Sequence, residues 1–220
     1  LSTDGTNFTD KTSNLPVGSA SITAIAVSNT NPLQAWVTFS GYSAANKVWT
    51  TIDGGTTWTN YSTGLPNLPV NCIVYQKTSS DGLYVGTDVG VYYRDRTYSS
   101  WQPFFTGLPN IDVQELDISY EISKIRAATN GRGLWESGLA VPVPTVFTWV
   151  GNISSDWNNP ENWNPNGVPT SMQDVIIPQI VSPNHDPVIN VTGLSCKDLT
   201  LAPGANLTVP DGHFFKTKGN

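Results

Sequence analysis

The sequence predicts an all-β chain: part of a β-propeller with four-stranded blades, followed by a second small β-sandwich or β-solenoid-like module. Three observations predict this. Short β-branched and aromatic runs alternate with turns rich in Gly, Pro and Asn. A punctuation mark recurs at Asn14-Leu15-Pro16, Gly64-Leu65-Pro66 and Gly107-Leu108-Pro109, setting its leucines 50 and 43 residues apart, which is the length of a four-stranded blade. Beyond Thr145 the composition changes: no arginine remains, and Trp149, Trp157 and Trp163 fall within 15 residues.

The elements follow in chain order. Each mark precedes an apolar run that reads as an innermost strand, at 22–27, 70–75 and 113–118. Second strands are predicted at 35–39, 83–87 and 125–129, third strands at 47–52, 90–93 and 133–136, and fourth strands at 58–61 and 101–105. Residues 8–11 read as the tail of an earlier blade. Two complete and two partial blades do not close a ring, because propellers have about four to eight blades. Residues 1–138 are therefore expected to be the C-terminal blades of a larger propeller, whose first partner is the missing upstream blades of the same protein. The start, Leu1-Ser2-Thr3-Asp4, has neither an initiator Met nor a signal peptide and reads as the beginning of a fragment.

Residues 139–145 alternate with proline and read as a stiff linker. Residues 146–220 form the Trp-rich module, expected to be truncated. Within it Leu199-Thr200-Leu201 and Leu207-Thr208-Val209 alternate in period two around the turn Pro203-Gly204-Ala205-Asn206. Both a sandwich and the first rungs of a solenoid accommodate that pattern.

The first module is organised around Thr51-Ile52-Asp53-Gly54-Gly55-Thr56-Thr57-Trp58. It reads as a hairpin turn in which Asp53 accepts backbone N–H groups, the glycines supply positive φ and Trp58 buries an apolar face. The stretch fits Ser/Thr-x-Asp-x-Gly-x-x-Trp and so resembles the Asp-box (BNR) β-propellers, a group with sialidases, xyloglucanase-type hydrolases and sortilin. What the resemblance implies is structural: Thr51, Asp53, Gly55 and Trp58 would form a folding device between a blade's outer strands. Two degenerate copies flank it, one at 2–8 that is a residue short and one from Tyr93 to Trp101, centred on Asp95, that is a residue long. The segment 128–136 resembles the closing segment of such propellers in Bacteroidota surface proteins. The order Thr148-Trp149-Val150-Gly151, Asp156-Trp157, Asn162-Trp163, Val168-Pro169-Thr170 and Asp174-Val175-Ile176-Ile177-Pro178 resembles a β-rich module of large secreted proteins of that phylum. Such a resemblance implies a type IX secretion cargo at the cell surface.

Composition excludes several functions. A net charge of −6 with four arginines repels nucleic acid. No apolar run reaches the ~18–20 residues of a membrane helix, so no membrane insertion is expected. Cys72 and Cys196 lie in different modules and read as small buried hydrophobes rather than a disulfide pair.

Catalytic chemistry finds little support. The four arginines, Arg94, Arg96, Arg126 and Arg132, form no sialidase-type trio, and Asp88, Glu115, Asp117, Glu121 and Glu136 alternate with apolar residues as solvated strand faces do. His185 and His213 lack ligand spacing. No cofactor is expected; Asp156 and Glu161 with nearby Asn carbonyls are candidate Ca²⁺ ligands without the EF-hand pattern. Trp149, Trp157 and Trp163 admit two readings: an exposed platform for sugar rings, or the core of a small module, which Asn-Trp and Asp-Trp turn anchors favour. Five Asn-x-Ser/Thr sequons, at Asn7, Asn60, Asn152, Asn190 and Asn206, matter only in a eukaryotic secretory route.

The sequence thus points to a noncatalytic structural or binding segment of a secreted or cell-surface protein, its partner a glycan or another surface protein. The alternative is the accessory part of a propeller glycoside hydrolase with catalytic residues outside the chain.

Overall fold

The computed structural model describes residues 7–43, 45–77 and 79–219. The chain is all-β, and it divides into a first unit ending at Pro142 and a second beginning at Val143. The degenerate turn at 2–8 falls almost wholly outside the described residues.

The first unit contains antiparallel meanders. Strands β1 (Ile22–Val27), β2 (Ala35–Phe39), β3 (Val48–Thr51) and β4 (Thr59–Asn60) form one sheet in sequence order. A second repeats that order with β5 (Val70–Gln76), β6 (Gly82–Thr87), β7 (Gly90–Arg94) and β8 (Gln102–Pro103). A third has three strands, β9 (Val113–Ser119), β10 (Lys124–Thr129) and β11 (Gly133–Gly138). Strand β5 lies beside both β1 and β9, so the innermost strands are neighbours, as propeller blades require. The fourth strands are shorter than the sequence predicts, two residues each. Pro103 has no N–H to extend the ladder at that edge. Residues 8–11 form no strand.

Alternation gives each sheet two faces, and facing blades share a core. Ala26, Trp36 and Val48 of the first blade pack with Val70, Leu83, Val85, Tyr92 and Trp101 of the second. Every residue of β6 is buried, as a strand covered on both faces must be. Residues 139–142 belong to this unit rather than to a free linker. The Ala140 N–H donates to the Tyr84 hydroxyl at 2.7 Å, and buried Gln76 donates through Nε2 to the Val141 carbonyl at 2.5 Å.

The second unit is built on parallel ladders. Strands β12 (Val146–Trp149), β14 (Asp174–Ile177) and β16 (Leu199–Leu201) pair in parallel on one side, with β13 (Trp163–Asn164) antiparallel on the far edge of β12. On a second side, parallel bridges join Asp156 to Val188 and Val188 to Thr208. On a third, β15 (Leu194–Cys196) pairs in parallel with β17 (Phe215–Thr217). Successive coils stacked on three sides make a short parallel β-solenoid, which resolves the choice between sandwich and solenoid. The runs at 199–201 and 207–209 are thus not two arms of a hairpin: each pairs with an earlier coil, and the turn between them is a corner.

Phe147, Trp149, Trp157, Trp163, Val175, Ile177, Ile189 and Cys196 form the core of this unit. Its first coil is organised by Asn162, which is fully buried and fully engaged. Asn162 Oδ1 accepts from the N–H groups of Ile153 and Ser154, and Nδ2 donates to Ser154 Oγ and the Asp156 carbonyl. Gly151, at φ +61, lies so close to the His185 carbonyl that a Cβ there would collide with it.

Candidate functional site

The turn at 51–58 is held by a closed set of hydrogen bonds. Asp53 Oδ1 accepts from the Thr57 N–H at 2.9 Å and from the Thr51 hydroxyl at 2.8 Å, while Asp53 Oδ2 accepts from the Thr57 hydroxyl at 2.7 Å. Thr51 Oγ1 in turn accepts from the Gly55 N–H at 2.9 Å. Gly54 and Gly55 take φ of +68 and +81, the left-handed conformation the turn demands. Hydrogen bonds from the Thr57 backbone, the Thr57 hydroxyl and Thr51 hold the Asp53 carboxyl down at about 2. All of its acceptors serve the turn.

The longer copy works the same way without glycine. Asp95 Oδ1 accepts from the Thr97 N–H and hydroxyl at 2.8 and 2.6 Å, and Oδ2 accepts from the Tyr93 hydroxyl at 2.9 Å. Burial opposes ionisation of Asp95, but these bonds outweigh it and keep the carboxyl below its usual range. Both turns deliver a tryptophan to the preceding segment. Trp58 Nε1 donates to the Lys11 carbonyl and Trp101 Nε1 to the Tyr61 carbonyl, each at 2.7 Å.

Several of the other predicted chemical groups are likewise engaged. Arg94 stacks 3.6 Å from the centroid of the Tyr61 ring and donates to the Tyr61 carbonyl at 3.1 Å. Arg96 pairs with buried Asp81 at 2.7 Å, and Arg126 pairs with Glu136 at 3.1 Å. Asp88 and Asp112 both accept from Asn71 Nδ2, at 3.2 and 2.8 Å. Glu115 and Asp117 face a shallow hollow of about 290 Å³ with Arg126, Ala128 and Leu134.

Trp149, Trp157 and Trp163 form no sugar platform. Their rings are buried against one another, 4.6 Å between centroids for Trp157 and Trp163 and 4.9 Å for Trp149 and Trp163. Indole N–H groups tie the cluster to the backbone: Trp163 to the Trp157 carbonyl at 2.8 Å, Trp149 to the His185 carbonyl at 2.7 Å. The reason is area: few other side chains in this short module are large enough to fill its core.

The Ca²⁺ candidates do not converge either. Asp156 Oδ1 accepts from the Asn158 N–H and from Asn190 Nδ2, and no group of three or more His, Cys, Asp or Glu among the described residues is arranged to hold a metal ion. Cys72 and Cys196 are free; burial pushes their thiols up to about 12 and about 11.

A feature with room for a ligand lies between the second and third blades. A cleft of about 350 Å³ runs along β8, the turn after it and the third sheet. Phe104, Phe105, Leu108, Leu116, Ile125 and Trp135 line it, and Glu136 is its one carboxylate. Trp135 is 37% exposed, and its Nε1 donates to the Arg132 carbonyl at 3.1 Å. Its exposure follows from position: β11 is an edge strand, exposed along its whole length. Sequence reasoning passed over Trp135, because a Trp in an alternating strand looks like core until the strand is known to be at an edge.

Residues 148–219 match a family model described as a domain of unknown function, DUF8693. No curated protein matches the sequence. Among solved structures, the chain is similar to the GH74 enzyme of Niastella koreensis, at 14% identity and a TM-score of 0.44 over 60% of this chain and 23% of that one. It is also similar to YCF48 from Cyanidioschyzon merolae, at 15% identity and 0.40 over 54% of this chain and 34% of that one. A third is the GH74 xyloglucanase from Xanthomonas campestris, at 14% and 0.39 over 51% and 20%. The chain thus spans about a third or less of the length of each.

Proposed function

We propose that this chain is a noncatalytic structural and binding segment of a secreted or cell-surface protein, with the cleft beside Trp135 as its ligand site and a glycan as its ligand. The cleft carries the reading. It offers an open aromatic face flanked by Phe104 and Phe105, the lining on which a sugar ring stacks, and it holds one carboxylate. Glycoside hydrolysis needs two carboxyl groups facing each other about 5–10 Å apart. Glu136 has no carboxylate opposite it in the lining, and Arg126 already pairs with it.

The turns at Asp53 and Asp95 support the structural half of the proposal, the first of them read as an Asp-box. Their carboxylates are committed to the turns. The thiols fit an oxidising compartment, since burial keeps both protonated and unreactive. Among the described residues no helix is long and apolar enough to cross a membrane.

The test is calorimetric titration of the chain with soluble xyloglucan, mixed-linkage β-glucan and xylan, repeated with Trp135→Ala. Binding to one of them that Trp135→Ala weakens at least tenfold supports the proposal. Binding that is indifferent to Trp135, or absent for all three, overturns the assignment of the cleft.

A further inference from the structure

The two ends of the solenoid differ. At its beginning, β13 covers the outer edge of β12, and Trp149 and Trp163 are buried beneath that pairing. At its other end the last members of three ladders, β16, Thr208 and β17, have no later strand beside them among the described residues.

Inward-facing side chains follow the same gradient. Register places Ile177 opposite Leu201, and one residue on from the bridged positions stand Trp157, Ile189 and Val209. Trp157, Ile177 and Ile189 are 0% exposed, whereas Leu201 is 49% and Val209 42% exposed. At these two positions the side chain sealed in the earlier coils is replaced by an open aliphatic one in the last, while Leu199, Leu207 and Phe215 of that coil pack partly against the core.

We infer that this end of the second unit is a docking surface for one further parallel β-coil with aliphatic residues at its inward positions. The argument is continuity with an interface already present. The first coil meets the second through parallel backbone pairing on two sides and the second meets the third on three, each with inward apolar contacts, and the last coil presents its backbone edges and part of its apolar face unfilled. A helix would bury the aliphatic residues but leave the backbone edges unpaired, and a lone strand would pair with one side of three. A second copy of this chain has its own first edge occupied by β13, so it does not continue the ladders head to tail.

The spacing of the partner follows from the coils in place. Equivalent residues lie 24 apart from Val175 to Leu199, 20 from Val188 to Thr208 and 21 from Leu194 to Phe215. A partner coil of about that length spans the three ladder edges.

The experiment extends the full chain by a second copy of residues 198–219 placed after residue 220, and follows amide hydrogen exchange. Slowing of at least tenfold at residues 199–201, 208 and 215–217 is expected, with no such slowing when the added residues are scrambled or when Leu201→Asp and Val209→Asp are introduced. Unchanged exchange in the extended chain overturns the inference, whether the added coil fails to fold or folds elsewhere. So does a concentration-dependent dimer of the unextended chain that already protects these edges, since a second copy would then be the occupant.

Discussion

The indole N–H of Trp101 donates to the carbonyl of Tyr61 at 2.7 Å, spanning from one blade to the last segment of the blade before it. Trp58 makes the equivalent tie to Lys11 at the same length, and the donors are 43 residues apart, like Leu65 and Leu108. The repeat is therefore a repeat of interblade ties as well as of strands. Trp101 is almost wholly buried, and removing its N–H strands the Tyr61 carbonyl with only the Arg94 contact. Trp101→Phe is expected to cost about 1–3 kcal/mol and Trp101→Ala about 3–5 kcal/mol, measured by urea unfolding.

The Asp53 carboxyl titrates at about 2 in the folded chain, against 3.8 ordinarily. A depressed folded value means that the carboxylate's contribution is present above pH 4 and is lost as pH falls from about 4 towards 2. Carbon-13 titration of the Asp53 side chain is expected to give a midpoint near 2. Asp53→Asn is expected to flatten the stability of the first unit across that window. A midpoint near 3.8 would show that the turn does not hold the carboxylate.

The three buried tryptophans of the second unit differ in their polar atoms. Trp149 and Trp163 donate from Nε1, whereas Trp157 Nε1 is buried without an acceptor among the described residues. Replacement by Phe removes ring volume in each case, but only at Trp149 and Trp163 does it also orphan a carbonyl bond, a difference of about 1–2 kcal/mol. Thermal unfolding of the second unit is expected to rank Trp157→Phe as the mildest.

Much of the first unit was legible because its signals are local. A Leu-Pro mark, a β-branched run and an Asp-Gly-Gly turn each act within a few residues, so strand positions emerged to within one or two residues at β1, β2, β5 and β10. The brevity of β8 was signalled by Pro103, but that of β4 was not legible, because pairing at an outer edge depends on what the neighbouring backbone offers. In the second unit, alternation at 199–201 and 207–209 marked strands but could not name their partners, since parallel pairing joins residues some twenty positions away. The candidate site was the least legible part. Burial of Trp149, Trp157 and Trp163 follows from turn anchors that sequence displays, but exposure of Trp135 follows from β11 being an edge, a property of the assembled sheet.

Reducing-sugar release tests most directly whether this chain binds a glycan without turning it over. The intact chain, incubated with xyloglucan, β-glucan and xylan at concentrations that saturate binding, is expected to release none over the no-protein control. Release that disappears with Asp88→Asn, Asp112→Asn or Glu136→Gln would contradict this, and would make one of these carboxylates catalytic.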